Sequence, residues 1–265
     1  MDGISRKQVF QGTGWCGMGP ERRVAIITGA ARGIGYETAR LLAQAGCTVV
    51  IADMSPDRLK QAVESMSDEG FPVEPAEIDV SDTPRTRKIV ADVINRHGRI
   101  DILVNNAGIC PTTSVDQISE EEWGTVMDVN FKGAFFLCQA VIPVMKGQRY
   151  GRIVNISSIA GEMGALVAGC HYSISKAGII AMTKVLARQL GTWGITVNAV
   201  APGTIDSVMT ADWSKEQRDM LTARIPVGRL GDPRDIAHAV AFLTSEESSF
   251  ITGATIDVNG GALMR

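Results

Sequence analysis

Seven short runs in this chain are rich in apolar and β-branched residues, and several are apolar without a break. They are VAIIT (24 to 28), TVVIAD (48 to 53), PVEPAEID (72 to 79), DILVN (101 to 105), RIVNIS (152 to 157), TVNAVAP (196 to 202) and TIDVNG (255 to 260). An unbroken apolar strand has both faces covered, which is the property of a parallel sheet with helices on either side. Stretches of helical period separate the runs. Ile34, Thr38, Leu41, Leu42 and Ala45 fit one helical stripe, and Asp232, Pro233 and Asp235 open another helix with an N-cap, a first-turn proline and an acidic third position. The order is β-α repeated, so the expected fold class is α/β, a doubly wound parallel sheet in three α/β/α layers.

A chain of 265 residues can bury the core of one large α/β unit, and no linker divides it. We expect a single domain over residues 22–265, preceded by a flexible extension over residues 1–21, whose QGTGWCGMGP stretch is Gly-rich and poorly patterned. The formal net charge is -3, which leaves no basic surface to hold a nucleic acid by counterion release. No apolar run reaches the ~18 residues of a membrane span, and the start lacks the apolar centre of a secretory signal, so the expectation is a soluble, cytoplasmic protein without a membrane partner. Five scattered cysteines, none in Cys-x-x-Cys spacing, and three histidines indicate neither a disulfide framework nor a metal site. Cys47 and Cys138 lie in apolar surroundings and read as small core residues.

In an open parallel sheet, ligands bind beyond the carboxyl ends of the strands. Those ends here are Thr28-Gly29, Asp53, Asp79, Asn105 to Gly108, Ser157-Ser158 and Pro202-Gly203, a concentration of small and polar groups along one edge. The first turn, TGAARGIG, is a variant of the Gly-x-Gly-x-x-Gly pattern. Gly29 permits a sharp exit from the strand, Gly33 lets the backbone approach a phosphate, and Gly35 lets the next helix pack closely; the helix start near Ile34 offers free N–H groups to a pyrophosphate. Asp53 ends the second strand, where a carboxylate accepts hydrogen bonds from the adenosine ribose and repels a 2'-phosphate. That favours NAD over NADP, although the guanidinium of Arg32 is suited to pair with the phosphate.

Tyr172 and Lys176 stand four apart in the helix-like HYSISKAGIIAMTK, on one face. To exchange protons near neutral pH the phenol must lose about 2.7 kcal/mol of proton affinity. An ammonium at ~4 Å and an effective dielectric near 20 is worth about 4 kcal/mol, so we expect Lys176 to lower the Tyr172 pKa. His171, His97, His238, Trp123 and Trp193 read as structural, with His171 lining the loop or substrate entrance.

From about residue 22 onward the chain resembles the classical short-chain dehydrogenase/reductase family. TGAARGIG, DV (79 to 80), NNAG (105 to 108), MDVNFKG (127 to 133), ISS (156 to 158), YSISK (172 to 176) and APG (201 to 203) occur in that family's order. The resemblance implies a Rossmann-like fold and a catalytic set of Asn130, Ser158, Tyr172 and Lys176. The serine holds the substrate oxygen, the tyrosine exchanges a proton with it, the lysine binds the cofactor's ribose, and the asparagine steadies a helix and a proton-carrying water. Adjacent serines in an extended segment face opposite ways, and the family pattern puts Ser158 in the catalytic place with Ser157 behind the cofactor.

The cofactor contacts implied are Gly29, Arg32, Gly33, Ile34, Gly35, Asp53, Asp79, Val80, Asn106, Ala107, Gly108, Tyr172, Lys176, Pro202 and Gly203, with Ser207 a looser match. The expected activity is NAD-dependent interconversion of a secondary alcohol and a ketone by a homotetramer or homodimer. The alternatives are an NADPH-dependent 3-oxoacyl-[acyl-carrier-protein] reductase and a non-catalytic dinucleotide-binding regulator. Glu162, Met163, Ala165, Leu166, Met209 and Trp213 suggest a mostly apolar pocket for the alcohol or ketone.

Overall fold

The unbroken apolar runs become the strands of one sheet. The computed structural model describes residues 23–206 and 214–264. Its strands are β1 (Val24–Thr28), β2 (Thr48–Asp53), β3 (Glu74–Glu77), β4 (Ile102–Asn105), β5 (Gly151–Ile156), β6 (Ile195–Pro202) and β7 (Thr255–Val258). All pair in parallel, in the order β3-β2-β1-β4-β5-β6-β7. Each expected strand is present. β3 is the shortest relative to expectation, and it lies at the sheet edge, the place where Pro75, which has no N–H to give a second neighbour, is tolerated.

Alternate residues of each strand feed two separate cores. Val24 and Ile26 pack with α3 (Thr83–His97), α5 (Gly133–Gln148) and α7 (Cys170–Leu190) on one face. Ala25 and Ile27 pack with α1 (Gly33–Gln44), α2 (Pro56–Asp68) and α9 (Pro233–Thr244) on the other. At about 1.5–3 kcal/mol for each fully buried aliphatic side chain, these two layers supply the main favourable term. The shorter helices are α4 (Glu120–Met127), α6 (Ala160–Met163) and α8 (Lys215–Thr222).

Local chemistry sets the helix starts. Ser55, Asp82 and Ser119 cap α2, α3 and α4 by accepting from a backbone N–H, and Asp232 and Asp235 form a reciprocal capping box on α9. The buried face of α1 is Gly35, Thr38, Ala39 and Leu42, turned slightly from the expected stripe so that Leu41 is half-buried. Close seating of Gly35 on the first turn sets that rotation. α4, a π turn (Asp128–Lys132) and α5 form one continuous helical run, Glu120–Gln148, long and apolar enough by length and composition to cross a membrane, contrary to expectation. It opens with three glutamates and buries Val126, Leu137, Cys138, Val141 and Met145 inside the protein.

Candidate active site

The β1–α1 turn is closed by hydrogen bonds from the next strand. Asn106 Nδ2 donates to the carbonyl oxygens of Thr28 and Gly29 at 2.9 and 3.0 Å, and the backbone N–H groups of Asn106 and Ala107 donate to Thr28 Oγ1, each at 3.0 Å. Gly29 has φ +61°, and a side chain at Gly35 would run into the Gly29 carbonyl oxygen and the Asn106 amide. Gly33, by contrast, has φ +58° and nothing within 4 Å of where a Cβ would stand. Arg32, the residue before α1, makes no side-chain cap, so the first-turn N–H groups point outward without an internal acceptor. Open space over Gly33 beside an uncapped helix start fits a pyrophosphate.

Asp53 is buried at the end of β2, and its carboxylate accepts from Ala31 N at 3.4 Å and Ser55 N at 3.1 Å. Arg58 of α2 pairs with it at 3.3 Å, a cation that sequence spacing did not single out. Asp79 is exposed and accepts from the Ser81 N–H and hydroxyl. Val80 is buried against Gly133, the first residue of α5. Asn106, expected to line a nucleoside, ties the glycine turn with its amide and also lines the central cavity.

Farther along the same edge, Asn130 lies in the π turn, buried. Its Oδ1 accepts from Ile109 N at 2.8 Å, while its Nδ2 donates to Ile109 O at 2.9 Å and Ser175 Oγ at 3.2 Å, joining the loop after β4 to α7. A side chain at Gly108 would come within 3.2 Å of Asn130 Oδ1 and 3.5 Å of Lys176 Nζ, which places those three residues together. Lys176 Nζ donates to Ile156 O at 2.8 Å and stands 5.8 Å from the centre of the Tyr172 ring. Ser158 shares a hydrogen bond with the Tyr172 hydroxyl and accepts from Ala160 N, whereas Ser157 Oγ donates to Lys176 O at 2.8 Å. The two serines do face apart; Ser157 braces α7 instead of turning its hydroxyl to a cofactor.

The electrostatics correct one expectation. Burial pushes the Tyr172 phenol well above the ordinary tyrosine value, the Cys110 thiol adds to that rise, and the Ser158 hydrogen bond opposes it. Burial also lowers Lys176 to about 8, against a smaller opposing influence from Cys110. Desolvation therefore outweighs the attraction expected from the ammonium, and Tyr172 is held as a proton carrier in its acid form.

A cavity of about 450 Å³ joins Ile34, Gly108, Pro202 and Gly203 to Ser158, Tyr172 and Lys176. Of the expected pocket residues Met163, Ala165 and Leu166 continue it, joined by Val167, mostly apolar and exposed, whereas Glu162 is not among the described residues that line it. Cys110, Thr112 and Arg224 also line it. No spacing rule points to those three: Cys110 and Thr112 follow the Asn105 to Gly108 turn in a loop, and Arg224 lies just beyond the end of α8. Ser207, Met209 and Trp213 lie outside the described residues. His171 is not at an entrance: it is fully buried, with Nε2 3.0 Å from Glu122 Oε1 and its ring stacked on Trp123, because its position on α7 turns it about 100° away from Tyr172. Cys138 is buried, its thiol pushed up to about 12, in keeping with a packing role.

A parallel sheet with a glycine turn beside its switch point and a tyrosine, lysine and serine gathered at the next strand ends defines a Rossmann-type dinucleotide-dependent oxidoreductase. A family model described as enoyl-(acyl carrier protein) reductase matches residues 29–262. The chain is 43% identical over 246 residues to the 3-oxoacyl-[acyl-carrier-protein] reductase FabG of Thermotoga maritima, covering 92% of this chain and 99% of that one. It is 41% identical over 244 residues to the (2S)-[(R)-hydroxy(phenyl)methyl]succinyl-CoA dehydrogenase subunit BbsD of Thauera aromatica, covering 92% and 98%. Among solved structures, a 3-oxoacyl-[acyl-carrier protein] reductase with bound NAD from Brucella melitensis superposes with a TM-score of 0.85 at 38% identity, over 93% of each chain. The chain belongs to the short-chain dehydrogenase/reductase family.

Proposed function

We propose that this protein reduces the 3-oxo group of an acyl thioester to a secondary alcohol, and runs the reverse oxidation, with NAD(H). The observation that carries the reading is the hydrogen-bonded Ser158 and Tyr172 pair on the wall of a largely apolar cavity, with Lys176 fixed beside them. A nicotinamide held beyond Gly33 and Gly108 would supply the hydride chemistry when bound. Ser158 orients the carbonyl oxygen, and Tyr172, kept protonated by burial, gives that oxygen its proton as negative charge develops. Lys176, cationic below pH about 8, stabilises the tyrosinate that is left. Asn130 holds the loop after β4 against α7 and so sets the distance between Gly108 and Lys176.

The names of the Thermotoga and Brucella relatives favour a 3-oxoacyl thioester over a simple ketone, and the exposed apolar rim of Met163, Leu166 and Val167 suits an acyl chain. Asp53 supports NAD(H), because a buried carboxylate at the end of β2 repels a 2'-phosphate; Arg58 moderates that repulsion without removing it. The family model's description names reduction of a carbon–carbon double bond, and a serine and tyrosine converging on one oxygen suit a carbonyl better.

Acetoacetyl and crotonyl thioesters, each with NADH and with NADPH, test the proposal by absorbance. Acetoacetyl thioester turnover with NADH is expected to be fastest, and Tyr172→Phe to lower kcat by roughly 10²–10⁴-fold. Asp53→Ala is expected to raise the KM for NADH and narrow the preference over NADPH. Faster turnover of the crotonyl thioester, or a Tyr172→Phe enzyme as fast as the parent, would overturn the reading.

A further inference from the structure

Among the described residues two charged side chains line the cavity, Lys176 and Arg224, both cationic, and no carboxylate does. Lys176 is already committed to the Ile156 carbonyl oxygen. Arg224 is exposed and, among the described residues, has neither an ion pair nor a side-chain hydrogen bond. The basic residues around it in sequence behave otherwise. Lys215 pairs with Asp219, Arg218 with Asp206, Arg229 with Asp235 and Arg234 with Asp232.

An arginine without a partner is common on a surface, and its mounting is what distinguishes this one. Leu221 and Ile225 on either side are buried, and Arg224 N donates to Leu221 O at 3.1 Å. Val227 N donates to Gly260 O at 3.1 Å, and a side chain at Gly261 would come to 3.0 Å from Pro226. The turn after β7 thus packs on the segment that carries Arg224, while its guanidinium stays exposed at the cavity wall. The planar guanidinium fork matches a carboxylate or phosphate in bidentate hydrogen bonding.

We propose that Arg224 forms an anion-binding subsite that selects substrates carrying a carboxylate or phosphate beyond the reacting carbonyl. The inference rests on the reductase reading above and adds the substrate's charge to it. The cavity's apolar lining takes the carbon skeleton, and its two cations leave a net positive field that favours an anionic substrate.

The test uses the full chain and two matched pairs of substrates: acetoacetate against methyl acetoacetate, and acetoacetyl-4'-phosphopantetheine against acetoacetyl-pantetheine. The quantity read is the ratio of kcat/KM, anionic member over neutral, in the parent, R224Q and R224K. The parent is expected to favour the anionic member by at least about tenfold in one pair, the carboxylate pair or the phosphate pair identifying the source of the anion. R224Q should bring that ratio close to one and R224K restore part of it. Equal ratios in parent and R224Q across both pairs overturn the subsite while leaving the reductase reading standing. A rise in the KM of the dinucleotide as large as the fall in the ratio assigns Arg224 to the cofactor and overturns it equally. If the parent turns over none of these substrates, the reductase reading itself fails, and the subsite with it.

Discussion

At one end of the cavity Thr28, Gly29 and Asn106 are joined by hydrogen bonds of 2.9 to 3.0 Å, whereas at the other Met163, Leu166 and Val167 leave apolar side chains 52%, 66% and 41% exposed. The first region is finished before any ligand arrives. The polar groups of Thr28, Gly29 and Asn106 satisfy one another, Gly35 has no room for a side chain, and open space over Gly33 faces the uncapped N–H groups of α1. The second region has apolar surface still in contact with water, and only a bound molecule or a change of loop position removes that exposure. A dinucleotide presents the same phosphates each time, so a rigid cradle binds it without ordering cost. An acyl chain varies, and an apolar wall without fixed polar partners accepts variation.

The sharpest way to break this contrast is Gly35→Ala. The added methyl meets the Gly29 carbonyl oxygen and the Asn106 amide, backbone and braced side chain that have nowhere to move. We expect a loss of about 1–3 kcal/mol or more, seen as a Tm lowered by several degrees, and dinucleotide binding weakened by at least about tenfold. Unchanged melting and affinity would mean that the turn is not closed as described.

Asn106→Ala removes an amide NH2 that donates to two carbonyl oxygens and is expected to cost about 1–3 kcal/mol, with a matching rise in the Kd of the dinucleotide. A loss of catalytic rate with no change in that Kd would contradict a bracing role.

The pH dependence follows from Lys176, whose ammonium is destabilised by burial, to a pKa of about 8 from an ordinary 10.5. The folded protein then binds fewer protons than the unfolded chain between those values, so this residue's penalty is complete below pH about 8 and is relieved as pH rises toward 10.5. Function moves the other way. kcat/KM for the dinucleotide, which reports the free enzyme, is expected to fall as pH rises through about 8 because the cation is lost, and Lys176→Arg should remove that limb. A flat profile across this range would show that the charge of Lys176 is not needed.

The smallest effect belongs to the open region. Leu166→Ala is expected to change stability by no more than about 0.5 kcal/mol, as an exposed rim position should, while raising the KM of a long-chain 3-oxoacyl thioester more than that of the acetoacetyl one. A large fall in Tm instead would show that this rim is packed in the free protein.

Much of this was readable in advance. The seven strands, the glycine turn and the capping of α9 depend on neighbours within a few residues, and local patterns report them directly. The pairing of Ser158 with Tyr172 was implied by the family resemblance. Cys110 and Arg224 were not legible, since nothing local distinguishes a cysteine or arginine that reaches a cavity from one that does not. The two hydrogen bonds from the Asn106 amide to Thr28 and Gly29 were not legible either, because an amide that braces a turn and one that does not look the same in sequence.

Periodicity and order alone determined that this chain makes a parallel sheet, where its phosphate-sized turn lies, and which tyrosine and lysine stand together; the serine that joins them was implied by the family resemblance. Tertiary structure alone decided the proton affinity of Tyr172, the commitment of Lys176 to Ile156 and the position of Arg224 on the cavity wall. The reason is that strand and turn formation are governed by short-range sterics and hydrogen bonding, whereas a charge's energy depends on how much water the whole fold removes from around it.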